Sequence, residues 1–97
     1  MQFDIAGQRV LVTAGAGGIG KNIAGSFHEG GARVHICDIS EDALAACRDE
    51  MPDVGATLCD VSDDEAVGSL FEDVAKSLGG LDVLVNNAGI AGPIADM

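Results

Sequence analysis

The feature that most constrains this chain is a glycine-rich segment that separates a short apolar run from a longer amphipathic one. Its residues are Thr13-Ala14-Gly15-Ala16-Gly17-Gly18-Ile19-Gly20. Residues 9–13 before it predict a strand, and residues 18–29 after it have apolar side chains at helical spacing. At such a strand-to-helix turn, glycines let a pyrophosphate approach the main chain and the free N–H groups of the helix N-terminus. The segment therefore predicts a dinucleotide-binding turn.

A carboxylate at the end of the next predicted strand supports the same interpretation. Asp38 follows the predicted strand at residues 33–37, about twenty residues beyond the glycines. A carboxylate there accepts hydrogen bonds from the adenosine ribose, and its charge repels the additional phosphate of NADP. Taken alone, Asp38 is equally compatible with an ordinary turn. Its place relative to the glycines favours ribose binding, with NAD as the cofactor.

Strands and helices alternate along the chain, with short turns between them. The predicted strands are residues 9–13, 33–37, 56–59 and 81–85, and the predicted helices begin near Gly18, Ser40 and Ser62. Ser62 is the predicted cap of the third helix because Glu65 follows three residues later, as in a capping box. This alternation predicts an α/β fold, a Rossmann-like doubly wound parallel sheet with strand order 3-2-1-4. Residues 1–97 are expected to form one portion of a single domain.

Composition argues against some classes of partner. The chain has sixteen Asp and Glu against five Lys and Arg, so its net charge is −11. Binding to nucleic acid or to an anionic membrane needs the opposite balance, and neither partner is expected. No apolar run has the length of a membrane span, and residues 1–8 before the first predicted strand are not expected to act as a signal peptide. We therefore expect a cytoplasmic location.

The cysteines and histidines predict no metal site. The three cysteines, Cys37, Cys47 and Cys59, show no CxxC spacing and are expected to be reduced. Cys37 and Cys59 are expected to lie close together because both end neighbouring strands. His35 and Cys37 belong to the same predicted strand, but two side chains do not complete a metal site. A packed strand face is the favoured interpretation.

Three motifs in order now resemble one family. They are the segment from Thr13 to Gly20, Cys59-Asp60-Val61, and Leu84-Val85-Asn86-Asn87-Ala88-Gly89. Together with Asp38 they resemble the N-terminal half of the classical short-chain dehydrogenases/reductases, over essentially the whole chain. The family pattern is Thr-Gly-x-x-x-Gly-x-Gly, and this sequence departs from it at one position. Ala14 replaces the first glycine, whereas Gly18 and Gly20 match.

The resemblance implies a set of cofactor-binding residues. The glycine turn would lie against the adenosine and phosphates, and the Ile19 amide would meet the pyrophosphate. Asp60 would bond the adenine amino group while Val61 packs beside the ring. Asn87 and the two residues after it would border the ribose near the nicotinamide. The complete set is Ala14, Gly15, Gly17, Gly18, Ile19, Asp38, Asp60, Val61, Asn87, Ala88 and Gly89. NADP-using members commonly carry a basic residue where this chain has Gly17, which again favours NAD.

The resemblance also implies what this sequence lacks. The family's chemistry uses a Tyr-x-x-x-Lys pair and a serine beyond the fourth strand, and this chain has no tyrosine. We therefore assign no catalytic residue, and interpret the chain as the cofactor-binding part of an NAD-dependent oxidoreductase acting on an alcohol or its carbonyl partner. The alternative is a non-catalytic nucleotide-binding or interaction module. Because the fourth strand has an unprotected flank, a homo-oligomer is expected.

Overall fold

The fold is a four-stranded parallel sheet with helices on both faces. The computed structural model describes residues 5–87. Its elements are β1 (Arg9–Thr13), α1 (Gly18–Glu29), β2 (Arg33–Asp38), α2 (Glu41–Glu50), β3 (Gly55–Leu58), α3 (Asp64–Leu78) and β4 (Val83–Val85). The sheet order is β3-β2-β1-β4, and every pair of neighbours is parallel. The predicted α/β class and strand order are confirmed.

One face of the sheet carries α1 and α2. Side chains at Val10 and Val12 of β1 and at Val34 and Ile36 of β2 point to this face and are buried. Alternation along a strand sends every second side chain to the same side, so these four residues form one apolar surface. The helices cover it with Ala24, Leu44 and Cys47, among others.

Of the helices within residues 5–87, only α3 lies on the opposite face. Its core consists of Leu11, Cys37, Cys59, Leu70, Val74 and Leu78. The last three share one stripe of α3, as their helical spacing predicts, and that helix lies over β2 and β3. Next to it, an apolar groove stays open between α3 and β4. The α3–β4 groove is lined by Leu11, Thr13, Val61, Val67, Leu70, Phe71, Leu84 and Asn86.

The N-terminal cap of α3 differs from the prediction. The cap is Asp63, whose carboxylate accepts hydrogen bonds from the amides of Glu65 at 3.0 Å and Ala66 at 3.4 Å. Ser62 is engaged elsewhere, since its amide and its hydroxyl both donate to Asp60 Oδ1, at 2.9 and 2.7 Å. The predicted capping box was therefore wrong by one residue, because Asp60 competes for the serine.

The bounds of three predicted strands also differ. β4 begins at Val83 rather than at residue 81, because the Asp82 carboxylate accepts hydrogen bonds from the Arg9 amide and guanidinium at 2.9–3.0 Å. β2 extends to Asp38, and β3 runs from Gly55 to Leu58, so Cys59 lies just beyond its strand. These shifts leave the order and direction of the elements unchanged.

Candidate functional site

The glycine turn is held in place by main-chain contacts at the carboxyl ends of β1 and β2. The Gly15 amide donates to the Cys37 carbonyl at 3.0 Å, which joins the turn to the end of β2. A Cβ at Gly15 would come within 2.8 Å of the Ile36 side chain, and a Cβ at Gly20 would overlap the Ala14 carbonyl. Glycine is therefore required at both positions for the helix to pack this closely against the strand.

Ala14 has an unusual backbone conformation. Its φ is 51°, in the left-handed region, and it is the only non-glycine residue with positive φ among residues 5–87. An alanine there is strained, because its Cβ crowds the following carbonyl. The family pattern that this sequence resembles has glycine at that position, so the substitution preserves the turn at an energetic penalty.

The amino terminus of α1 is open, in contrast to those of the other two helices. Its N-cap, Gly17, offers no side-chain hydrogen bond, and its first turn holds no acidic residue. In contrast, Ser40 caps α2 and Asp63 caps α3, and both helices carry acidic residues in their first turn. No atom of the described residues, apart from the adjoining backbone, lies within 4 Å of a Cβ placed at Gly17. The free N–H groups and the positive dipole end of α1 are thus available to an anion.

Asp38 lies beside this turn, as the sequence predicts. One carboxylate oxygen accepts a hydrogen bond from the Ala16 amide at 3.2 Å, and the other accepts from the Ser40 amide at 3.0 Å. The side chain is half-buried. Its carboxylate therefore joins the glycine turn to the start of α2, and its remaining lone pairs are free to accept further hydrogen bonds.

Asp60 and Val61 follow the end of β3, near the same edge of the sheet. Hydrogen bonds from the Ser62 hydroxyl and amide lower the pKa of Asp60, so its carboxylate is a stable acceptor. Exposed apolar side chains accompany it at Val61, Leu58 and Ile39, the last with 71% of its surface exposed. Sequence reasoning missed Leu58 and Ile39. The available signal was an apolar residue at the end of β3 and another directly after β2.

Asn87 brings the end of β4 to the glycine turn. Its side-chain amide lies 3.4 Å from the Ala14 carbonyl, which it approaches as a donor. The neighbouring Asn86 accepts from the Thr13 hydroxyl at 3.3 Å, which is a structural role. The glycine turn, Asp38 and Asn87 therefore meet at the carboxyl edge of the sheet. Ala88 and Gly89 lie outside the described residues.

Other polar residues form contacts away from this edge. Lys21 pairs with Glu50 at 2.6 Å, and His28 pairs with Asp53 at 2.8 Å. Cys37 and Cys59 lie together in the core under α3, as their positions predict, and burial raises the pKa of Cys37 to about 11. Within residues 5–87 no group of three or more His, Cys, Asp or Glu is arranged to hold a metal ion. None of the helices in that range is long and apolar enough to span a membrane.

The sequence of this chain is similar to a known family model and to several known proteins. The model of the short chain dehydrogenase family matches residues 8–97. The chain is 46% identical over 90 residues to the short chain dehydrogenase/reductase dpchG of Colletotrichum higginsianum, covering 89% of this chain and 34% of that protein. It is 40% identical over 100 residues to 3beta-hydroxysteroid dehydrogenase 2 of Eggerthella lenta, covering 96% of this chain and 38% of that protein.

A solved structure is similar over nearly the whole chain. The crystal structure of a short chain dehydrogenase from Mycobacterium smegmatis superposes with a TM-score of 0.84 at 44% identity. The match covers 97% of this chain and 42% of that one. The chain thus spans between about a third and two fifths of the length of these relatives.

Proposed function

Because the chain belongs to the short chain dehydrogenase family, we propose that it binds NAD at the carboxyl edge of its sheet. In this proposal it is the cofactor-binding part of an oxidoreductase that transfers a hydride between the nicotinamide and an alcohol or carbonyl substrate. The observation that carries the proposal is the open amino terminus of α1 beside the Asp38 carboxylate. One feature suits a pyrophosphate and the other suits a ribose.

The residues present fit this cofactor. Gly17 and Gly18 leave the outer side of the turn free of side chains, so that a phosphate can reach the amides of α1. The half-buried Asp38 is already oriented by two main-chain amides, which reduces the entropy lost when a ribose hydroxyl binds. Ile39, Leu58 and Val61 supply exposed apolar surface for the adenine, with Asp60 as an acceptor for its amino group.

NAD is favoured over NADP by charge. If Asp38 binds the adenosine ribose as proposed, the additional phosphate of NADP would come close to its carboxylate, and two like charges in contact disfavour binding. Gly17 has no charge to compensate for that repulsion, and Lys21 is paired with Glu50 instead. The proposal therefore includes a preference for NAD.

The chain's own residues would bind and orient the cofactor. The bound nicotinamide supplies the hydride acceptor or donor. The glycine turn would fix the phosphates, Asp38 the adenosine ribose, and Asn87 together with Ala88 and Gly89 the ribose near the nicotinamide. General acid or base groups are assigned to a catalytic portion outside this chain, where the family's tyrosine, lysine and serine would lie. The substrate is proposed only as a small alcohol or carbonyl compound.

Two further properties belong to the proposal. We expect a homo-oligomer, since Leu84 in the α3–β4 groove is 51% exposed and β4 is paired within residues 5–87 only to β1. We also expect a cytoplasmic location, because the three cysteines are unpaired thiols.

Isothermal titration of the chain with NAD and with NADP tests the proposal. Asp38→Ala should weaken NAD binding by about 2 kcal/mol, roughly thirtyfold, because hydrogen bonds to a charged acceptor are lost. The same substitution should reduce the difference between the affinities of the chain for NAD and for NADP. Asp42→Ala is the matched control, since Asp42 is an exposed carboxylate in the first turn of α2. Equal NAD affinity in both variants, or no NAD binding by the unaltered chain, would contradict the proposal.

A further inference from the structure

A chain of hydrogen bonds crosses the interior between the sheet and α3. It begins at His35 of β2, whose side chain is only 3% exposed. His35 Nε2 lies 2.7 Å from Thr57 Oγ1 on β3, and that hydroxyl donates to Asp73 Oδ2 on α3 at 2.9 Å. This polar contact thus connects two strands to the helix. It plays no part in the proposed cofactor site.

The direction of these bonds fixes the tautomer of His35. A hydroxyl has one hydrogen, and that of Thr57 is given to the Asp73 carboxylate. Thr57 must therefore accept from His35, so the proton of the neutral ring is on Nε2. The other ring nitrogen, Nδ1, carries a lone pair and is the site where a second proton would bind.

Nδ1 has no hydrogen-bond partner among residues 5–87 and is buried. It points toward Gly55, which is opposite His35 in the register of β2 and β3. A Cβ at Gly55 would overlap Nδ1 and would lie 2.7 Å from Ser77 Oγ on α3. A proton on Nδ1 would consequently place a charged N–H in a confined space, at an atom that has no hydrogen-bond partner among residues 5–87.

The charged groups around His35 do not provide that partner. On its own strand, Arg33 precedes it on the same face and donates to the Ser77 and Leu78 carbonyls of α3 at 3.1 and 3.2 Å. Cys37 follows it as a neutral thiol, because burial raises its pKa to about 11.

The remaining neighbouring elements offer one charge. β1 contributes the apolar Leu11, which is paired with His35 in the sheet. β3 contributes Gly55 and Thr57, and α3 contributes the Asp73 carboxylate, which Thr57 separates from the ring. Burial lowers the pKa of His35 below its ordinary value, and the nearby Asp73 carboxylate opposes that shift without cancelling it.

We propose that the His35–Thr57–Asp73 chain is an acid-sensitive latch. It holds α3 on the sheet while His35 is neutral, and weakens that attachment when Nδ1 takes up a proton. In the unfolded or detached state His35 has its ordinary pKa of about 6.5, so below that pH the detached state binds more protons. Attachment of α3 is then lost progressively as the pH falls. Above that pH it is fully present.

NMR spectroscopy of the uniformly labelled chain tests the latch directly. Long-range ¹H–¹⁵N spectra should show His35 as the neutral Nε2–H tautomer at pH 7.5, and the chain has only one other histidine to assign. Between pH 6.5 and the pKa of folded His35, the amide protection factors of α3 should fall about tenfold per pH unit, the linkage of one proton. Protection in α1 should fall less.

Two variants make the outcome specific. His35→Gln retains a donor toward Thr57 but cannot take up a proton, so the acid dependence of α3 protection should disappear. His28→Gln is the matched control, because His28 pairs with Asp53 on the surface, and it should keep the dependence. If His35→Gln does not fold, the tautomer and the titration of His35 in the unaltered chain are sufficient to test the proposal. An Nδ1–H tautomer, protonation of folded His35 above pH 6.5, or equal loss of protection in α1 and α3 would overturn the proposal.

Discussion

The face of the sheet that carries α1 and α2 is filled with apolar side chains, whereas the face that carries α3 is of mixed character. Val12 and Ile36 on the first face are fully buried. On the second face a buried histidine occupies the interior of the contact, and beside it Phe71 and Leu84 leave the α3–β4 groove open. The first face is held by apolar burial, and the second depends on specific hydrogen bonds as well.

The two faces of this small sheet are therefore stabilised by different interactions and respond to different conditions. Apolar burial is non-directional and changes little with pH, so it suits the face that supports the glycine turn. Hydrogen bonds in a buried polar contact are directional and sensitive to protonation. We therefore expect changes in pH, and association with another molecule, to affect the face that carries α3.

The largest expected effect compares apolar side chains on the two faces. Ile36→Ala removes a fully buried side chain from the α1 and α2 face and should lower the free energy of unfolding by about 3 kcal/mol. Phe71→Ala removes a larger side chain that is 43% exposed, and should lower it by about 1 kcal/mol. Urea unfolding followed by circular dichroism measures both. Similar losses would show that the two faces contribute alike.

A pair of glycine substitutions sharpens the account of the α3 face. Gly55→Ala brings a methyl group onto His35 Nδ1 and should destabilise the chain by about 2 kcal/mol through overpacking. Gly68→Ala lies within α3 with open space around its Cβ, and should stabilise by about 0.5–1 kcal/mol through helix propensity. Thermal unfolding gives the sign of each change. Stabilisation by both substitutions would contradict the close approach of His35 to β3.

The smallest effect on stability is expected at Ala14, in the glycine turn between β1 and α1. Ala14→Gly relieves a left-handed backbone but increases the entropy of the unfolded chain, so a net stabilisation of about 0.5 kcal/mol is expected. Ala43→Gly in α2 is a control that should destabilise instead, since that residue is helical. Chemical denaturation of the two variants and the parent decides the sign. A destabilising Ala14→Gly would mean that the turn holds no strain.

Much of the candidate site was predictable because its signals are local. Asp38 ends β2, while the glycines follow β1 and the asparagines follow β4. In a parallel sheet the carboxyl ends of strands meet at one edge. Leu58 and Ile39 were not predicted, because an exposed apolar residue has no meaning in a sequence until its neighbours are known. The role of Asn87 as a donor toward Ala14 likewise required the register of β4 on β1.

By itself, the sequence determined the order of strands and helices, the parallel sheet and the glycine turn between β1 and α1. These follow from apolar periodicity and from glycine and carboxylate positions, which act over a few residues. Only the tertiary structure decided that Asp63 rather than Ser62 caps α3, that β4 begins after Asp82, and that His35 bonds to Thr57. In each case several polar groups could bond to the same hydrogen-bond partner. Some of these groups are distant in sequence, and others lie within one turn. Tertiary packing determines which of these hydrogen bonds forms, so a local sequence pattern does not predict it.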